Sequence, residues 1–293
     1  MKKILVLTSI AVMLFSCERN TETADAYGNF ETESVIVSAE NTGKIIALNI
    51  KKGDIIKAGF PAVLIDTTQL HLQHLQAKAQ QAAVISKRSS IQSQIVVLEE
   101  QMKNLKVNEA RIKQMLNDGA ATQKQLDDLQ GQISVIEKQI ENTKTQFLLI
   151  KKEYAVLAAQ EQSLIDQLKR CTVKSPVSGT ILETYAERGE LAATGRALFK
   201  IADINQLELK VYVSGAQLPQ IKLGQKVTVY TDRNETENQS LTGTISWISP
   251  EAEFTPKIIQ TKEERVKLVY AVKVAVKNDG TLKIGMPGEV RWQ

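Results

Sequence analysis

Few side chains in this sequence have types and spacings suited to bond-making or metal chemistry. The two histidines, His71 and His74, stand three residues apart, a spacing that puts both on one side of a helix. A metal site needs three or four ligands and groups that orient them, and no such set accompanies this pair. They read as solvent-facing histidines near the base of a helical element. Met13, Met102, Met115 and Met286 are scattered, so no soft-ligand cluster for copper forms along the chain. Cys171 opens the run Cys171-Thr172-Val173-Lys174-Ser175-Pro176. No histidine follows it to act as an activating base, and it reads as a small buried apolar residue. No catalytic residue, no metal site and no cofactor are expected.

Cys17 is different, because its context points to modification of the chain itself. Lys2 and Lys3 precede a twelve-residue apolar run, Ile4 to Phe15, followed by Ser16-Cys17. Such a run is too short to span a bilayer, which takes about 20 residues, but it fits a secretory signal. Leu14-Phe15-Ser16-Cys17 resembles a bacterial lipobox, in which the cysteine is lipidated and becomes the first residue. Phe15 departs from the small residue usual there, and the alternative is an ordinary signal with a free cysteine nearby. Cleavage after residue 16 removes two lysines and no acid, taking the net charge from +4 to +2. A balance this mild gives no ground for nucleic-acid binding. With Cys17 acylated, Cys171 has no intramolecular disulfide partner. Residues Glu18 to Ala26 are polar and read as a tether.

The elements that position everything else begin with a repeat. Val37 to Ile65 aligns without a gap onto Val173 to Ile201, matching Gly43 with Gly179, Ile45 with Ile181, Gly53 with Gly189, Gly59 with Gly195 and Ile65 with Ile201. The glycines sit between short apolar runs, where the chain must turn or take positive φ. Half-motifs of about thirty residues cannot bury a core alone, so the two copies are expected to fold against each other.

The insertion from Thr67 to Arg170 contains no proline, and its glycines are Gly119 and Gly131. Leu126, Leu129, Ile133, Ile136, Ile140, Phe147, Ile150, Tyr154, Leu157, Leu164 and Leu168 keep an alternating three-four spacing, broken at Thr143 and Glu161. Ile91, Ile95, Leu98, Met102, Leu105, Ile112 and Leu116 do the same, broken at Glu109. Sustained heptads specify a supercoil. Before Ile91 the register is not readable among Ala77, Ala79, Ala82 and Ala83. Two arms of roughly 50 residues, about 75 Å each at 1.5 Å per residue, must pack antiparallel to stay straight. The reversal falls at Asn117-Asp118-Gly119-Ala120-Ala121, and Thr122-x-x-Gln125 is a capping box. Arg111 and Asp127 lie eight residues either side of Gly119 and should stand level. On these mechanics the tip is a well-capped turn with one surface ion pair.

With split β half-motifs flanking a helical hairpin, the chain resembles the periplasmic adaptor proteins, or membrane fusion proteins, of the haemolysin-secretion family. The resemblance implies that the half-motifs form a lipoyl/biotinyl-like domain. It also implies that the hairpin tip docks an outer-membrane channel through an Arg, a Leu four later, a Ser eleven later, a Glu fourteen later and an Asp sixteen later. This chain has Arg111, Met115, Thr122, Gln125 and Asp127 at that spacing. Two positions are identical; Met115 keeps an apolar knob, while Thr122 and Gln125 keep hydrogen bonding and lose a carboxylate. Docking and capping are compatible roles. In carrier domains the modified lysine sits at the hairpin that the helices replace here, so none is presented for biotin or lipoate.

After the second half-motif the pattern changes to period two, the mark of half-buried strands. Leu207, Leu209, Val211 and Val213 form one inward series; Leu241, Gly243, Ile245 and Trp247 a second; Val266, Leu268, Tyr270, Val272, Val274 and Val276 a third. A small β-barrel fits, with a strand from Tyr27 to Ser34 closing it. Phe254-Thr255-Pro256 and Gln260 to Arg265 resemble adaptors of ABC-type exporters. The chain's end at Gln293 is read as loss or reduction of a further membrane-proximal domain.

The expected fold class is mixed α and β: a long antiparallel α-helical coiled-coil hairpin inserted in a split lipoyl/biotinyl-like β domain, followed by a small β-barrel. The expected divisions are a lipoprotein signal peptide (1–16), tether and first barrel strand (17–34), half-motif 1 (35–66), hairpin (67–170, tip 117–122), half-motif 2 (171–204) and barrel (205–293). The function implied is that of a non-enzymatic periplasmic adaptor in a Gram-negative bacterium, lipid-anchored to the inner membrane through Cys17. It would link an inner-membrane ABC-type exporter to a TolC-like outer-membrane channel. Self-association into a hexamer is implied, with Arg188 in the turn Tyr185 to Gly189 as a lumen-lining candidate. The competing readings are an adaptor for a proton-driven pump, a carrier subunit with a modified lysine, and a coiled-coil envelope scaffold without transport.

Overall fold

A computed structural model describes residues 24–232, 238–254 and 268–292. Cys17, the signal segment, Val266 and the stretch from Thr255 to Arg265 lie outside the described residues. The chain divides into two compact units: residues 36–177 with 181–200, and the remainder around residues 201–292.

In the first unit, β2 (Ser34–Ser38), β3 (Gly43–Leu48), β4 (Ile55–Ile56) and β5 (Pro61–Ile65) come from the first half-motif. The second contributes β6 (Thr172–Lys174), β7 (Gly179–Thr184), β8 (Leu191–Ala192) and β9 (Ala197–Ala202). The two sheets, ordered β2-β9-β7-β4 and β6-β5-β3-β8, exchange short strands, so each half completes the other's sheet. The hydrogen bonds repeat with the sequence. The Ile45 N–H donates to the Glu190 carbonyl and the Gly189 N–H to that of Ile45, each at 2.8 Å; the Ile181 N–H and Gly53 N–H do the same with Asp54 and Ile181 at 2.9 Å. Gly53 and Gly189 make these exchanges at φ +92° and +99°, a region that side chains avoid. Ile45, Ile65, Ile181 and Ile201 fill the interior. Cys171 is 1% exposed, and its Sγ accepts from Asn41 Nδ2.

Between the halves run α1 (Thr68–Asn117) and α2 (Gln123–Arg170). The Asp66 carboxylate starts α1 by accepting from the Thr68 N–H at 2.8 Å and from the Thr68 hydroxyl, bonds that hold its pKa below the usual value. Every heptad position read from the sequence is buried or half-buried. Two of the three breaks are polar links between the helices, and the third bonds within its own helix. Thr143 turns its hydroxyl back onto the Gln139 carbonyl. Glu109 takes Lys113 at 2.7 Å and Gln130 from the facing helix at 3.2 Å. Glu161 accepts from Gln81 at 2.7 Å and meets His74 Nε2 at 3.2 Å.

These contacts supply the register missing before Ile91. The seam of α1 continues through Leu70, His74, Ala77, Gln81 and Val84, all buried or half-buried, to Arg88, stacked over the Phe147 ring at 5.7 Å. His74 is therefore not solvent-facing: its side chain is 18% exposed and turned into the seam. His71 is exposed, and among the described residues no group of three or more His, Cys, Asp or Glu could hold a metal.

In the second unit the strands are β1 (Ala26–Glu31), β10 (Gln206–Ser214), β11 (Lys226–Asp232), β12 (Asn238–Ile248), β13 (Glu253–Phe254), β14 (Leu268–Lys277) and β15 (Pro287–Trp292). The order β10-β1-β15-β11-β12-β14 closes through the β10–β14 pairing into a barrel. Phe30, Leu207, Leu209, Val211, Val229, Val272 and Val274 fill it. One inward series breaks: a register shift in β12 between Ile245 and Trp247 leaves Trp247 39% exposed and brings Ile248 against the core. Leu268, at the start of β14, is also exposed.

Candidate functional site at the hairpin tip

The turn between the helices is built from both sides. At the end of α1 the Ala120 N–H donates to the Met115 carbonyl at 2.7 Å and the Gly119 N–H to that of Leu116 at 3.1 Å. That pair of bonds is a Schellman motif. It requires the left-handed backbone of Gly119, at φ +75°. Three residues on, Thr122 caps α2. Its hydroxyl accepts from the Gln125 N–H at 3.4 Å, and the Gln125 side-chain oxygen accepts from the Thr122 N–H at 2.8 Å. Part of each orphan helix end is thus satisfied by residues of the turn itself.

The cap determines what the tip offers. Arg111, Met115, Thr122, Gln125 and Asp127 are all exposed, with Met115 at 40%. The expected ion pair between Arg111 and Asp127 does not form. Asp127 instead accepts from Gln123 Nε2, one turn before it on the same helix, at 2.8 Å. Arg111 has no ion-pair partner among the described residues. Below it the Glu109 link crosses the seam, and Lys113 followed by Gln130 holds the Glu109 carboxyl below its ordinary pKa. Sequence reading marked Glu109 only as a defect; its heptad position was the available signal. The remaining core of this half is Met102, Leu129 and Ile133, packed with Leu105, Ile112, Ile136 and Ile140. The tip is thus a rigid turn that presents one unengaged guanidinium, one apolar knob and a short polar row.

Arg188 lies elsewhere in the same unit, exposed beside Gly189, in an open concavity lined also by Lys44, Ile45, Ile46 and Asp66. The base of the hairpin is tied to the first half-motif by Asn41 Nδ2 on the Gln167 carbonyl at 2.6 Å and by Arg170 on Glu40 at 3.1 Å. Among the described residues no helix is long and apolar enough to cross a membrane.

A strand-exchanged β domain carrying a long helical hairpin, with a closed barrel beside it in sequence, defines the fold of the membrane fusion proteins. Residues 33–204 match the family model described as the RND membrane fusion protein barrel-sandwich hybrid domain, and residues 203–292 match the LcnD-like C-terminal domain. The chain belongs to the membrane fusion protein family, which includes the periplasmic adaptors of tripartite efflux systems. Among solved structures, MacA from Actinobacillus actinomycetemcomitans superposes with a TM-score of 0.61 at 22% identity, over 90% of this chain and 76% of that one. A MacA-MexA chimera containing the Pseudomonas aeruginosa MexA alpha-hairpin domain gives 0.51 at 21% identity, over 90% and 78%. Both are likenesses of fold.

Proposed function

We propose that this chain is a lipid-anchored adaptor that couples an inner-membrane exporter of ABC type to a TolC-like outer-membrane channel through the hairpin tip. The observation that carries the reading is Arg111, exposed and without an ion-pair partner among the described residues, about two helical turns from a tip capped by its own residues. A guanidinium with no internal partner, on a rigid exposed turn, is available to a carboxylate or carbonyl of another protein. Met115 supplies the apolar contact beside it, and Asp127, held in place by Gln123, supplies an acceptor. Cys17, outside the described residues, is the proposed anchor. Copies of the chain assemble side by side into a hexamer, and Arg188 faces the central passage.

The test is substitution of Arg111 or Asp127, with export and crosslinking to the channel as readouts. Both should fall while the helical signal is unchanged. Normal export from a stably folded hairpin sinks the docking role. The RND description of the matching family model favours a second reading, with a proton-driven pump as the inner-membrane partner. Co-purification with an ATP-hydrolysing subunit separates the two.

A further inference from the structure

The outer wall of the barrel carries an aromatic row that crosses four strands. Tyr212 of β10 pairs with Tyr27 of β1, Tyr27 pairs with Glu289 of β15, and Glu289 pairs with Tyr230 of β11. All four side chains point away from the core, because their strand neighbours Val211, Ala26, Val290 and Val229 fill it. Tyr212, Tyr27, Glu289 and Tyr230 line one open concavity of about 370 Å³, together with Asn29 and Pro287. That volume falls in the range of small-ligand sites.

Its depth has a cause in the sequence. Gly28 and Gly288 face each other across β1 and β15, and a Cβ on Gly288 would meet Phe30 and Leu209 at 3.0 Å. With no side chains behind them, the two strands lie low over the core. The outer surface therefore dips between the flanking rings.

Positive charge is unevenly supplied along the row. At one end Lys210 Nζ stands 5.4 Å over the Tyr212 ring. At the other the Arg291 guanidinium stands 4.7 Å over the Tyr230 ring. Between them, among the described residues, no cation stands over Tyr27, and the Glu289 carboxylate has no ion-pair or hydrogen-bond partner. Glu289 is half-buried, and a partly desolvated carboxylate is costly until a cation joins it. Neighbouring strands lie about 4.8 Å apart. A cation on Glu289 thus has Tyr27 on one side and Tyr230 on the other, both inside the reach of about 6 Å for a cation–π contact. Rings and one carboxylate, without a shell of acceptors, suit a weakly hydrated organic cation better than a metal ion.

We propose that this concavity is a binding site for a small organic cation bearing a quaternary or alkylated ammonium group. The cation sits on Glu289 between Tyr27 and Tyr230, with Tyr212 backing Tyr27. The site stands wholly on the barrel, so it goes beyond the adaptor reading and is independent of the hairpin tip.

Choline chloride and its uncharged isostere dimethylbutanol, in which carbon replaces nitrogen, are titrated against the full mature chain at constant ionic strength. Broadening of each ligand's methyl proton resonance gives Kd. Choline is expected to saturate one site, with the isostere weaker by about tenfold or more. Glu289→Gln should weaken choline about tenfold, and Tyr27→Leu about three- to tenfold. Tyr27→Phe should stay within about twofold, because the ring and not the hydroxyl holds the cation. Tyr27 is 58% exposed, so its variants should melt with the parent. Choline that never saturates, or binds no better than its isostere, overturns the site without any variant having to fold. Unchanged choline binding in folded Glu289→Gln overturns it too. Arg111→Ala should bind choline as the parent does, so failure of the site and failure of channel docking are read separately.

Discussion

The two roles assigned to the tip separate in one experiment on Thr122 and Arg111. Thr122→Ala removes the hydroxyl that accepts from the Gln125 N–H, and loss of a threonine cap costs about 1 kcal/mol. In the unit of about 160 residues that holds the hairpin, that lowers Tm by roughly 2–4 °C. Thr122→Ser keeps the acceptor and should restore most of the loss. Arg111→Ala removes an exposed side chain without an ion-pair partner among the described residues. Alanine is the better helix former by a few tenths of a kcal/mol, so Tm should hold or rise. Export should fall in Arg111→Ala despite the intact fold. Far-UV circular dichroism melts of the mature protein, paired with an export measurement in cells, give both readouts. A drop in Tm for Arg111→Ala as large as that for Thr122→Ala refutes the reasoning, because Arg111 is then a structural residue.

Three further outcomes follow from the packing. The Gln81 hydrogen bond, and after it His74, holds the Glu161 carboxyl below its ordinary value of 4.5. Its contribution is then present above the unfolded-state value and lost as pH falls through the lower folded one. Melts taken between neutral and acid pH should show that loss, and Glu161→Gln should flatten it. Gly28→Ala would set a Cβ 1.8 Å from the Lys210 carbonyl oxygen, forcing β1 off β10. The cost should reach or exceed the upper end of the about 1–3 kcal/mol seen for overpacking, read as lower Tm and poorer yield. Ile150→Ala, at a seam position 4% exposed, should cost about 2–5 kcal/mol in the same melts.

The legible parts of the fold are those where one residue type answers one physical demand. Positive φ at Gly53, Gly59, Gly189 and Gly195 made the repeat visible, and large apolar residues made the seam from Ile91 to Leu168 visible. The base of α1 was not legible because its seam positions are His74, Ala77, Gln81 and Arg88. A polar residue reads as a surface residue until its partner is known, and here the partners lie some 60 to 90 residues away, at Glu161, Leu157 and Phe147. Trp247 was assigned inward because strict alternation takes no account of a bulge. The ion pair expected between Arg111 and Asp127 does not form, and Asp127 takes Gln123 from one turn away on its own helix. The docking role of the tip rests on a partner and is not a property of one chain's packing.

A coiled coil standing free in water needs an apolar seam and charged outer faces. The half of the hairpin nearest the tip obeys: its seam is mostly Ile and Leu, and Glu100, Lys103, Asp128, Lys138 and Glu141 are exposed outside. The half nearest the β domain departs from the rule. Its seam holds His74, Gln81, Arg88 and Glu161, while Leu72, Leu75, Leu148, Leu149 and Val156 are exposed outside among charged residues such as Lys87, Lys152 and Glu153. Polar seam residues fix register at a cost in stability. That half is held in register by its own polar links and by its tie to Asn41 and Glu40.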